Sequence, residues 1–325
     1  MKMTISCSLP CIGILLALLA GCAAVPAYVP DPQPLETGRL PVPDLTLDIP
    51  GLGPCTDAAD RRVQLNSREP VTVLVHGCKG SAGRFRSLAQ LYAFHGQQAV
   101  CFSYDDRASL VRVSGELIAA LDRLAGRMHN RQLTVMGHSM GGLVTRKALE
   151  RDRPGPWERT DVELRLLTIS APFAGIGIAE TCGYKLGQWL SLGVVPGICK
   201  VVTGDNWYEI TSASDFIRRP GPLLPTVQRF LKIVTDERDT CRRLDANGRC
   251  IESDYVFSLG EQYQPVVDSS PRLTNVEVDA GHVEIVGDRN IVPRKLLAIL
   301  QQEGMLAPTP PERRAALERL LAELY

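Results

Sequence analysis

Leu133-Thr134-Val135-Met136 runs directly into Gly137-His138-Ser139-Met140-Gly141-Gly142, and this junction restricts the possible folds more than any other stretch of the chain. The apolar run reads as a buried strand. Leu143 to Leu149 reads as the helix that follows. A strand that turns sharply into a helix lifts the residue at the turn clear of its own backbone. Such a turn is strained and crowded, so small residues are needed two before and two after the lifted one. Gly137 and Gly141 meet that need, and Gly142 adds a third. The lifted residue is a serine, so Ser139 is the candidate nucleophile.

The rest of the body alternates strands and helices. Val71-Thr72-Val73-Leu74-Val75 is a continuous, largely β-branched run of the kind buried on both faces. It ends in the small-residue loop His76-Gly77-Cys78-Lys79-Gly80. A helix is predicted over 85–94, a strand over 98–102, a polar loop over 104–107 and a second helix over 111–128. Further strands are predicted over 164–169, 230–234 and 273–278. This alternation implies an α/β architecture with a mostly parallel central sheet and helices on both faces. Residues 171–225 break the alternation. They are rich in glycine, proline and aromatics, including Trp189, Trp207 and Tyr208. Thr309 to Tyr325 reads as a terminal amphipathic helix after a Pro-Pro start.

The order strand, His-Gly loop, helix, strand, G-x-S-x-G, helix resembles the α/β-hydrolase fold. The V-H-G and G-H-S-M-G-G motifs resemble its lipase and esterase branch, over roughly residues 65–300. The resemblance implies an oxyanion hole built from the backbone N–H groups of Cys78 and Met140. It implies a cap or lid at 171–225, with Leu186 to Val195 lining an acyl pocket; a plain packing insertion is the alternative. It also implies the chain order serine, acid, histidine. The chain has five histidines, His76, His95, His129, His138 and His282, and of these His282 alone follows Ser139. His282 is therefore the expected base. His76 and His138 are expected to pack beneath the site.

The acid is expected between the strand at 230–234 and His282. Asp236, Glu237, Asp239, Asp245, Glu252, Asp254, Glu261 and Asp268 all lie there. Ser253-Asp254-Tyr255-Val256-Phe257-Ser258-Leu259 resembles the S-D-G-V-V-S-L segment that carries the acid in many bacterial lipases, with Tyr255 in place of the usual glycine. Asp254 is the preferred acid on that resemblance. Asp236 and Asp239, just past the strand, are the alternatives.

The N-terminus reads as an address. Lys2 precedes the short apolar core Cys11 to Ala20, which has the length of a signal peptide rather than of a membrane span. It closes in Leu19-Ala20-Gly21-Cys22, which resembles the lipobox of bacterial lipoproteins, with Cys22 the lipidated residue. A signal peptide cut near Ala24 is the alternative. Ala23 after the cysteine resembles outer-membrane sorting. The organisation expected is a signal peptide over 1–21, a lipidated cysteine and Pro-rich tether over 22–50, a hydrolase domain over 51–308 and the terminal helix over 309–325. The expected location is the bacterial cell envelope, lipid-anchored and facing the periplasm or the exterior.

An exported chain with ten cysteines favours disulfides. Cys241 and Cys250 flank a polar loop with a turn at Asn247-Gly248, so a local bridge is expected. Cys182 and Cys199 form a second candidate pair. Cys55, Cys78 and Cys101 leave one thiol over. No C-x-x-C or H-x-x-x-H spacing suggests a metal, and no cofactor is expected. Basic and acidic residues balance at 36 each, so nothing points to nucleic acid. The expected activity is hydrolysis of carboxylic esters, lipid or small, through an acyl-enzyme on Ser139. An acyltransferase of the same fold and a non-catalytic surface lipoprotein are the alternatives.

Overall fold

The computed structural model describes residues 41–177 and 208–325. Cys22, the Cys182–Cys199 pair, Trp189, Trp207 and the Leu186 to Val195 segment lie outside the described residues. In chain order, the strands are β1 (Leu45–Leu47), β2 (Leu52–Gly53), β3 (Val63–Leu65), β4 (Val71–Val75), β5 (Gln98–Phe102), β6 (Gln132–His138), β7 (Glu163–Ile169), β8 (Val227–Asp236), β9 (Cys241–Leu244), β10 (Cys250–Ser253) and β11 (Leu273–Asp279). The principal helices are α1 (Arg86–Phe94), α2 (Leu110–Ala125), α3 (Met140–Ala148), α4 (Arg294–Gln302) and α5 (Arg314–Leu324).

The central sheet has the order β2-β5-β4-β6-β7-β8-β11. All its pairings are parallel except β2 with β5. The side-chain period of two explains how one short run serves two cores. Val71, Val73 and Val75 of β4 join Leu133 and Val135 of β6 and Leu164 and Leu166 of β7 against α2 and α3. Leu74, Met136, Leu167 and Ile169 face the other way, against α1, α4 and α5. Every residue of β4 is buried, as a parallel strand covered on both faces requires. Burying a Leu or Val side chain in this way contributes roughly 1.5–3 kcal/mol.

Helix α2 buries Leu110, Val113, Leu117, Leu121 and Leu124, the three-to-four spacing of one helical face. It starts at Ser109, whose hydroxyl accepts from the Arg112 N–H. The terminal helix is shorter than expected because Pro311–Arg313 forms a 3-10 turn before it. It buries Leu320 and Leu321 against the body.

Leu45–Leu47 pairs antiparallel with Val63–Leu65. Part of the stretch read as tether is therefore paired as a strand. Two disulfides are present among the described residues, Cys241–Cys250 and Cys55–Cys101. The first is the expected local bridge. The second ties the segment after β2 to β5, and Cys78 belongs to neither. Among the described residues, no helix is long and apolar enough to cross a membrane.

Candidate active site

The candidate residues gather where the parallel strands end. Ser139 follows β6, the His76–Gly80 loop follows β4, Ser170 follows β7, Glu237 follows β8 and His282 follows β11. Open parallel sheets bind ligands at this carboxyl edge.

Ser139 sits between β6 and α3 at φ 58°, ψ −128°, a backbone conformation that L residues avoid. Neighbours leave no room for side chains around it. A Cβ on Gly137 would stand 2.2 Å from the Gly141 carbonyl oxygen, and one on Gly141 would stand 2.4 Å from the Val75 and His76 oxygens. The Ser139 N–H donates to the Ile169 carbonyl at 2.9 Å, pinning the turn to β7. The His-Gly loop approaches closely, since a Cβ on Gly77 would lie 2.8 Å from the Ser139 Cβ. Met140 is the first residue of α3, and Cys78 follows Gly77 at an exposed position. The sequence expected both beside Ser139.

His282 is buried, and its Nδ1 faces Glu237 Oε1 at 2.8 Å. A carboxylate only accepts, so Nδ1 carries a proton, and in the neutral ring the lone pair is then on Nε2. Glu237 is 1% exposed and well supplied with donors. Its Oε1 also accepts from Ser170 Oγ at 2.7 Å and Thr235 Oγ1 at 3.0 Å. Its Oε2 accepts the N–H groups of Val256 and Phe257 at 2.6 and 2.8 Å. Burial pushes the Glu237 carboxyl up, but the bond and charge of His282 and the two N–H groups outweigh it and hold the group below its ordinary value. Ser170 Oγ also lies 3.1 Å from His282 Nδ1. The Phe257 ring meets the imidazole edge-on, with centroids 4.8 Å apart. Among the described hydrogen bonds, none joins Ser139 Oγ to His282; such bonds often tighten only once substrate is bound.

The two histidines beside the motifs pack beneath the site. His138 Nε2 donates to the His282 carbonyl at 2.9 Å, and burial holds its pKa well below the ordinary value, so it is neutral. His76 donates from Nδ1 to the Gly77 carbonyl and stacks on Tyr104 at 4.3 Å.

Asp254, expected against the imidazole, is elsewhere. It is 1% exposed, but its carboxylate accepts the Val283 N–H at 3.1 Å, the Glu284 N–H at 2.8 Å and Arg242 at 3.0 Å. It faces the backbone of the His282 loop, and Glu237 occupies the place by the ring. The other acids also lie away from the ring or are engaged elsewhere. Asp236 turns to Arg238, whose hydrogen bonds lower its pKa to about 2. Asp239 follows at φ 60° with an exposed side chain. Asp245 closes the β9–β10 turn, Glu252 pairs with Arg242, Glu261 caps the Leu259–Gln262 turn, and Asp268 pairs with Lys232. Glu237 stood among the candidates but was passed over. The signal for it was alternation: Thr235 and Glu237 share one side of the chain, and Asp236 takes the other. Among the described residues, no group of three His, Cys, Asp or Glu side chains could hold a metal ion.

The chain matches no protein-family model and no curated protein. Its fold does match solved structures. Against the propeptide form of Bacillus licheniformis lipase BlEst2 the identity is 16% and the TM-score 0.52, over 82% of this chain and 54% of that one, so the chain spans about half its length. Against the mature form the identity is 15% and the TM-score 0.49, over 80% and 98%. Against the Pyrococcus furiosus esterase Pf2001 the values are 15% and 0.44, over 74% and 83%. With the strand order above, this likeness identifies the fold as that of the α/β-hydrolases.

Proposed function

We propose that the chain is a serine hydrolase of carboxylic esters, with Ser139 as nucleophile, His282 as general base and Glu237 as the acid. The observation that carries this reading is the buried Glu237–His282 pair, held at the same sheet edge as a serine on a strained turn. A serine hydroxyl is a weak nucleophile near neutral pH and needs a neutral imidazole to take its proton. Glu237 fixes the tautomer that leaves Nε2 able to do so. It then stabilises the imidazolium that forms.

Attack of Ser139 Oγ on the ester carbonyl gives a tetrahedral oxyanion. The N–H groups of Met140 and Cys78 are the proposed donors to it, and losing one donor of this kind costs about 3–4 kcal/mol of barrier. His282 then protonates the leaving alcohol, and water repeats the sequence on the acyl-enzyme. The solved proteins that share the fold include a lipase and an esterase by their names. That likeness supports the fold; the ester chemistry rests on the site.

Residues 171–225 are proposed as a cap over the acyl site. The chain is proposed to be held at a bacterial membrane through lipid on Cys22, with ester or lipid as substrate. The test is Ser139→Ala with fluorophosphonate labelling and p-nitrophenyl esters of graded chain length. Labelling and turnover should both vanish in a folded protein. Equal labelling of variant and wild type would remove Ser139 from the mechanism.

A further inference from the structure

The three N–H groups of residues 282, 283 and 284 all point at one residue. The His282 N–H donates to the Asp254 carbonyl at 2.9 Å, and those of Val283 and Glu284 donate to its carboxylate. This segment starts a helical turn, in which the Ile285 N–H returns to the Gly281 carbonyl at 3.1 Å. Asp254 therefore caps that turn from a distant part of the chain. Gly281 makes the approach possible, because a Cβ there would stand 2.1 Å from Asp254 Oδ2.

Behind Asp254 stands Arg242, with only 13% of its side chain exposed, bridging Asp254 Oδ1 at 3.0 Å and Glu252 Oε1 at 3.1 Å. Arg242 belongs to the β9–β10 hairpin, a two-stranded ribbon outside the central sheet. Such a ribbon is marginal alone, and Cys241–Cys250 closes it.

From these contacts we infer that Asp254 and Arg242 form a positioning pair for the base. The disulfide-closed hairpin presents Arg242, Arg242 orients the Asp254 carboxylate, and Asp254 sets the backbone of the loop that aims His282 at Ser139. The inference rests on the reading of His282 as base and Glu237 as acid. Neither positioning residue touches the substrate. Their effect is geometric, and a displacement of about 1 Å at a reacting group can cost a hundredfold in rate.

The experiment is a kinetic comparison at a temperature well below every variant's Tm. Asp254→Asn turns one acceptor oxygen into an NH2 group that cannot accept from Val283, Glu284 or Arg242. It should lower kcat by about 10–100-fold with KM within about threefold, and slow fluorophosphonate labelling in the same ratio. Arg242→Gln should show a smaller loss of the same kind, and Arg242→Lys should recover most of it. The double variant should be no worse than Asp254→Asn, because the two act as one unit. If Asp254→Asn does not fold, Gly281→Ala displaces the carboxylate without changing its charge and should reproduce the loss. The Cys241→Ser, Cys250→Ser double variant should match Arg242→Gln.

A folded Asp254→Asn or Gly281→Ala enzyme with kcat within twofold of wild type would overturn the inference. So would strictly additive losses for Asp254 and Arg242. If instead Asp254→Asn is inactive and Glu237→Gln is nearly wild type, the acid assignment itself has failed. If His282→Ala keeps full turnover, the hydrolase reading has failed. Each result is distinct from a defect in positioning alone.

Discussion

Glu237 Oε1 and His282 Nδ1 lie 2.8 Å apart, both side chains are buried, and the glutamate accepts from five donors in all. So many donors on one carboxylate fix its orientation before any substrate arrives. The ring that it holds also meets Phe257 at a right angle, and the backbone carbonyl of His282 accepts from His138. Two carboxylates thus serve one histidine: Glu237 meets the ring, and Asp254 meets the backbone.

Glu237→Gln should leave Ser139 and His282 in place while removing the charge that stabilises the imidazolium. In a serine protease the corresponding carboxylate-to-amide change lowers turnover by about four orders of magnitude. At least about a hundredfold loss in kcat is expected here, or ~2.7 kcal/mol of barrier. Asp236→Asn and Asp239→Asn should stay within about tenfold of wild type, because Asp236 faces Arg238 and Asp239 is exposed. Steady-state kinetics on one p-nitrophenyl ester separates the three variants, and a fully active Glu237→Gln would refute the assignment.

The elbow was legible because its signal is local: strand, glycines, serine and helix lie within a few residues of one another. His282 was singled out because it alone among the histidines follows Ser139. The place of Glu237 against the ring was not legible, because three acidic residues stand in a row of four at the end of β8. Choosing among Asp236, Glu237 and Asp239 requires knowing where the strand ends. The sequence placed that end at Val234, but the strand runs to Asp236, which carries the alternation one step further and turns Glu237 inward. Asp254 was expected against the ring but lies against the backbone of the His282 loop, a tertiary contact that no local pattern shows. The Cys55–Cys101 bridge was likewise hidden: it depends on β2, whose two residues carry no period that a sequence can show.

Cys55 and Cys101 are both fully buried, and their bridge closes a sequence separation of 46 residues. In the chain-entropy model a loop of that length is worth about 4 kcal/mol at 25 °C, an amount that native-state strain can reduce. The Cys55→Ser, Cys101→Ser double variant should therefore unfold at clearly lower urea, with a somewhat larger m-value because the uncrosslinked chain exposes more surface when unfolded. An unchanged midpoint would mean that the bridge contributes nothing to stability.

Cys22→Ser should leave the protein unlipidated and move it from the membrane fraction to the soluble one. The motivation is Leu19-Ala20-Gly21-Cys22 at the end of the apolar core. One acyl chain holds only marginally, so firm anchoring needs more than one. Mass spectrometry of the mature N-terminus is the direct measurement, and an unmodified terminus near Ala24 would refute the lipoprotein reading.

Stability should fall on mild acidification, and His138 gives the sign. Burial lowers its folded-state pKa well below the ordinary imidazole value of 6.5. As pH drops below about 6.5, the unfolded imidazole takes a proton and the folded one does not. The unfolded state then binds more protons, so stability is lost as pH falls, with a slope of up to about 1.4 kcal/mol per pH unit for one proton. The buried His76 adds in the same direction over a shorter window, since its pKa is also lowered. Glu237 extends the effect at lower pH: its folded pKa is below the ordinary glutamate value of 4.5, so its contribution is complete above about 4.5 and is lost as pH falls through the folded pKa. Glu150, raised by burial, opposes this trend. Urea unfolding at fixed ionic strength should therefore show stability dropping from pH 7 to pH 5, and His138→Gln should lose part of that slope. A flat profile across this range in the wild type would refute a lowered folded-state pKa for His138.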